Sequence, residues 1–154
     1  MPAKTKPVPE GYHHVTPYLI VKGAAAAMDF YKDVFGATEI MRMPQPDGRI
    51  GHAEMKMGDS VIMLADEYPE MDNVGPATLG NSSVGILLYV DDADATFNKA
   101  VSRGAKVNKP LADQFYGDRS GTVTDPFGHK WTIATHVEDV SPDEIERRMA
   151  ALKK

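Results

Sequence analysis

The stretch TDPFGHKWTIATH, Thr124 to His136, sets the reading of the whole chain. Asp125-Pro126 and Phe127-Gly128 are turn signals. After them Trp131, Ile133 and Thr135 alternate with Thr132, Ala134 and His136. That two-residue period predicts a strand with an apolar face and a small or polar face. The same punctuation stands earlier. Gly58-Asp59 separates IGHAEMKM (50–57) from SVIMLA (60–65), so Gly58 corresponds to Gly128.

Working outward from these turns, two matching series emerge. The first holds a strand in VTPYLIV (15–21) and a helix over 24–35, where Met28, Tyr31 and Phe35 recur at helical spacing. Gly36 is its stop signal. Strands in ATEIMRM (37–43), 50–57 and 60–65 follow. The second holds a strand in VGILLYV (84–90), a helix over 92–104 with Asp92 as N-cap and Gly104 as stop, then strands at 105–111, 119–125 and 129–136. Val21 matches Val90, and Gly36-Ala37 matches Gly104-Ala105 with a slip of one. Two copies of strand–helix–strand–strand–strand are thus expected.

Around them lie three other segments. Residues 1–12, with three prolines, read as a flexible N-terminal arm. The first module spans 13–66, a Pro/Gly/Asn/Ser-rich linker loop 67–83, and the second module 84–137. A C-terminal helix is expected within 138–154, opened by the capping box Ser141-Pro142-Asp143-Glu144. The whole is one structural domain in this reading.

Composition excludes several functions. The 154 residues are 42% hydrophobic and 25% charged, as in an ordinary globular chain. A net charge of -5 argues against nucleic acid as a partner. No apolar run is long enough for a bilayer, so no membrane is expected, and the N-terminus lacks a signal-peptide core. Zero cysteines exclude disulfides, thiolate metal sites and a cysteine nucleophile. A cytoplasmic setting is the expectation.

Three motifs stand out: AAMDFYKDVFGA (26–37), YGDR (116–119) and DPFGHKW (125–131). With the duplicated pattern over 13–137 they resemble the vicinal oxygen chelate superfamily, which contains glyoxalase I, extradiol dioxygenases, and fosfomycin and bleomycin resistance proteins. TPYL (16–19), HAEMKMGDSVIMLADE (52–67) and THVEDVSPDE (135–144) look most like its PhnB-like branch. The resemblance implies an α+β fold in which two βαβββ modules form a curved, mostly antiparallel eight-stranded mixed sheet of half-open barrels. The helices lie outside, and a C-terminal helix is added. It also implies a homodimer.

The family's four metal positions fall on Thr16, Gly85, Ile62 (or Met63 if the turn is one longer) and Thr132. A catalytic metal wants about three imidazole or carboxylate ligands. These residues do not supply them, so neither metal nor other cofactor is expected. A displaced set from His14, His52, Glu54 and His136 is the alternative.

Alternation puts Tyr18 with Thr16 on one strand face, and His52 with Glu54 on another. The expected small-molecule ligand contacts are Thr16, Tyr18, His52, Glu54, Tyr116, Asp118, Arg119, Thr132 and His136. Arg119 is the expected receiver of a carboxylate or phosphonate oxygen, unless Asp118 pairs with it or a neighbour to fix a turn. Trp131, Phe30, Tyr31, Phe35 and most methionines are read as core. The functional expectation is a metal-free binding cleft. Its rival is a glyoxalase- or dioxygenase-type lyase or isomerase, using displaced ligands or acid–base chemistry.

Overall fold

A computed structural model describes residues 4–153. The chain divides into two compact units between Asn81 and Ser82. In the first, the order is β1 (Tyr18–Val21), α1 (Ala24–Phe35), β2 (Thr38–Pro44), β3 (Ile50–Met57) and β4 (Ser60–Asp66). The four strands form one mixed sheet in the order β1-β4-β3-β2, with β1 parallel to β4 and the rest antiparallel. The second repeats this with β5 (Gly85–Tyr89), α3 (Ala93–Ser102), β6 (Lys106–Asp113), β7 (Asp118–Thr124) and β8 (Lys130–His136), in the order β5-β8-β7-β6. The fold is α+β. The eight expected strands are all present, as two four-stranded mixed sheets, and neither sheet closes into a barrel.

Each sheet buries one face. Leu19, Val21, Ala53, Met55, Met57 and Leu64 are buried, as are Met28, Tyr31 and Val34 of α1. In the second unit Val123, Trp131 and Ile133 are buried with Phe97 and Ala100 of α3. Gly121 matters here, because a Cβ on it would meet the Phe97 ring at 2.6 Å and the backbone nitrogen of Leu111 at 3.0 Å. Glycine lets α3 lie close on β7.

The opening turn owes its shape to Asp125. One carboxylate oxygen accepts the backbone N–H groups of Phe127 and His129, both at 2.9 Å, and the other accepts the Trp131 indole N–H at 2.9 Å. Gly128 completes the turn at φ +96°. The DPFG motif is thus a buried polar knot holding the only tryptophan in the core.

Three details differ from the sequence reading. The first strand begins at Tyr18, not Val15, because Pro17 has no N–H for the ladder. Thr16 therefore precedes the strand. The segment after β4 contains a 3-10 turn at Pro69–Met71 and a short helix, α2 (Pro76–Leu79), and the Gly75 N–H donates to Glu67 at 2.7 Å. Met43 is half exposed on the edge strand β2 rather than core. The C-terminal helix, α4, spans Pro142–Leu152, with Ser141 accepting the Glu144 N–H at 3.2 Å as the capping box predicts.

Candidate functional site

On the first sheet, the face away from α1 carries a line of polar side chains. Strand register sets Tyr18 beside Met63, and Met63 beside Glu54. His52, two residues before Glu54, shares its face. The Tyr18 hydroxyl meets His52 Nδ1 at 2.8 Å, and His52 Nε2 meets a Glu54 carboxylate oxygen at 2.8 Å. The hydroxyl of Tyr12 donates to the other Glu54 oxygen.

Glu54 is only 8% exposed. The Tyr12 hydrogen bond, then that of His52, holds its carboxyl below the usual range. A carboxylate only accepts, so Nε2 carries the proton of the neutral imidazole, and Nδ1 accepts the Tyr18 O–H. The Tyr18 hydroxyl is pushed above its ordinary value, first by burial and then by the charge of Glu54. The chain Tyr18–His52–Glu54 can pass a proton inward from the sheet surface, and Glu54 offers a concentrated negative charge.

A cavity of about 390 Å³ opens beside Glu54. Thr16, Glu54 and Met63 line it from the sheet, and Pro7, Val8, Pro9, Tyr12, His13 and His14 from the N-terminal segment. His13 Nε2 lies 3.0 Å from the backbone oxygen of Asp59.

The second sheet carries a different network. The Tyr89 hydroxyl donates to Asp118 at 2.8 Å, and His136 Nδ1 meets the other Asp118 oxygen at 2.8 Å. His136 Nε2 meets Asp139 at 2.7 Å. A neutral ring can donate at only one nitrogen, whereas the imidazolium donates at both. Asp118 first, then Asp139, raises the His136 pKa. Thr132 bonds Thr122 at 2.9 Å.

Arg119 does not join this face. It alternates with Asp118 on β7 and grips Asp94 of α3 at 2.6 and 3.1 Å, with Asp113 at 3.3 Å. Its guanidinium is engaged on the helix side, which differs from the expectation of a cleft-facing anion receiver. Asp118 and Arg119 do not pair with one another. Tyr116 is 40% exposed and packs edge-on against Phe115. The Gly117 carbonyl accepts the N–H groups of Val137 and Glu138 at 2.9 and 3.0 Å, so YGDR fixes the chain leaving β8.

The four positions where the resemblance implies metal ligands hold Thr16, Gly85, Thr132 and either Ile62 or Met63. Met63 lines the cavity, while Ile62 is buried beneath α1. These side chains lack imidazole and carboxylate, so they do not fit a divalent metal. Among the described residues no group of three or more His, Asp or Glu side chains is placed to hold one. Sequence reasoning missed Tyr12, Tyr89 and Asp139. Tyr89 was within reach, since it shares a strand face with Gly85 and Leu87. Tyr12 gave no local signal, its partner being 42 residues away.

The chain matches the Glyoxalase/Bleomycin resistance protein/Dioxygenase superfamily over residues 11–133, and it belongs to that family. An uncharacterised protein of Mycobacterium tuberculosis is 42% identical over 140 residues, spanning 89% of this chain and 82% of the relative. A crystal structure of a Pseudomonas aeruginosa protein superposes with TM-score 0.69 at 27% identity, covering 82% of this chain and 99% of that one. A PhnB protein from Bacillus cereus, at 17% identity and TM-score 0.65 over 80% of this chain and 99% of that one, shares the fold. No helix among the described residues is long and apolar enough to cross a membrane.

Proposed function

We propose that this protein binds a small, partly apolar molecule in the first module's cavity, using Glu54 as its polar anchor and no metal or other cofactor. The observation that carries this is the buried Glu54 carboxylate facing a cavity of about 390 Å³, a volume in the range of small-molecule sites. The walls from Pro7, Pro9 and Met63 suit an apolar body. The side chains at the family's metal positions favour binding without a metal.

The protein acts as a homodimer in this reading. Leu87 and Tyr89 are half exposed on the second sheet, and Tyr18 on the first, which leaves apolar area for a second copy. Its net charge of -5 disfavours nucleic acid as a partner, and a cytoplasmic setting is proposed.

The Tyr18–His52–Glu54 chain supports a second reading, acid–base lyase or isomerase chemistry, in which His52 takes a proton through Tyr18. Elemental analysis of protein purified without chelator, followed by a thermal-shift screen of small molecules, tests the first reading. It expects sub-stoichiometric transition metal and hits that Glu54→Gln weakens. A stoichiometric metal, or hits indifferent to Glu54→Gln, contradicts it. Turnover lost in Tyr18→Phe would favour the second reading.

A further inference from the structure

The segment before β1 forms one wall of the cavity, and one of its side chains reaches Glu54. Residues 4–12 form neither strand nor helix. Among the described residues their hydrogen bonds are internal, Tyr12 N–H to Pro9 at 3.1 Å and Lys6 to Glu10, with one exception. The exception is the Tyr12 hydroxyl on Glu54. A phenol thus occupies the carboxylate oxygen that His52 leaves over, flanked by prolines and Met63. A single hydrogen bond to a carboxylate is a contact that a competing small molecule can replace.

We infer that the cavity takes a phenol, which displaces Tyr12 from Glu54 and lays its ring where the Tyr12 ring lies. This rests on the binding reading above and names its ligand class. The chain's own side chain is the template. A phenol needs one acceptor and an apolar wall for its ring; Glu54 is the acceptor, and Pro7, Pro9 and Met63 line the cavity beside it. An ammonium is less well served. It brings three donors and a strongly held hydration shell, while Glu54 has one oxygen to spare. Thr16 lines the same cavity.

Calorimetric or NMR titration with three probes tests this: p-cresol, 4-methylanisole (the same ring without a donor) and benzylamine. The wild-type protein is expected to bind p-cresol about tenfold tighter than 4-methylanisole, the value of one charge-assisted hydrogen bond. Tyr12→Phe removes the internal competitor and is expected to tighten p-cresol about fivefold. Glu54→Gln is expected to erase most of the preference for p-cresol. If that variant fails to fold, Tyr12→Phe carries the test alone. Equal binding of 4-methylanisole, or tighter binding of benzylamine, overturns the phenol assignment and leaves small-molecule binding intact. Silence of all three probes in both wild type and Tyr12→Phe also overturns it, and the broader reading then stands or falls on the thermal-shift screen.

Discussion

The two modules solve one structural problem by different means. Each has a helix directly after its first strand, and the start of that helix needs acceptors for its N–H groups. In the second module Asp92 caps α3 through Ala95 N–H at 3.0 Å, and Thr135 of β8 accepts the Ala93 N–H at 2.9 Å. In the first module Gly23 stands at the N-cap and offers no side chain. Asp66 of β4, at the position matching Thr135, takes over. It accepts Gly23 N–H and Ala24 N–H at 2.8 Å each, and Ile50 N–H at 2.7 Å. Where the local cap is missing, a buried carboxylate supplies it from the neighbouring strand.

Their far faces differ in the same spirit. The first holds Glu54 beside a cavity with one oxygen covered only by Tyr12. The second closes its carboxylate between Tyr89 and His136 and ties His136 onward to Asp139, just before α4. The first network is open to a ligand. The second is a clasp for the C-terminal segment, helped by Arg148, which bonds Glu138 at 2.6 Å and the Phe115 carbonyl at 3.0 Å.

Substitutions can break this contrast, beginning with the largest effect. Asp66→Ala strands three N–H groups, and urea unfolding is expected to show a loss of about 4 kcal/mol, at roughly 1–3 kcal/mol per buried unsatisfied group. Its counterpart Thr135→Val strands one N–H, of Ala93, and one carbonyl, of Val90, and is expected to cost about 2 kcal/mol. Equal losses would refute the division of labour. Gly121→Ala forces Cβ into Phe97 and the β6 backbone and is expected to cost about 2 kcal/mol, within the usual range for overpacking. The smallest effect is electrostatic. The folded His136 pKa lies above its ordinary 6.5. The clasp's contribution is therefore full below that value and is lost as pH rises through the raised one. His136→Gln should flatten the fall in melting temperature between pH 6 and 8. A slope unchanged by the substitution would remove the clasp from the account.

Much of the architecture was legible beforehand, and the reasons are physical. Strand alternation marked Ala53, Met55 and Met57 as one face and His52, Glu54 and Lys56 as the other, and burial follows that division apart from Glu54. Periodicity reports a face, however, not a partner. Read as a patch, YGDR joined Asp118 to Arg119, although adjacent strand residues point opposite ways. The pairing of Arg119 with Asp94 spans 25 residues and leaves no local trace. Pro17 shortened β1 and moved Thr16 off the strand. Tyr12 was hidden because an irregular segment has no period to read.

Chemical-shift mapping of the backbone amides, during titration with the strongest thermal-shift hit, tests the contrast most directly. Perturbations are expected to concentrate at Tyr12, Thr16, His52, Glu54 and Met63, with Tyr89, Asp118 and His136 unmoved. Perturbations centred on Asp118 and His136, with Glu54 silent, would contradict it.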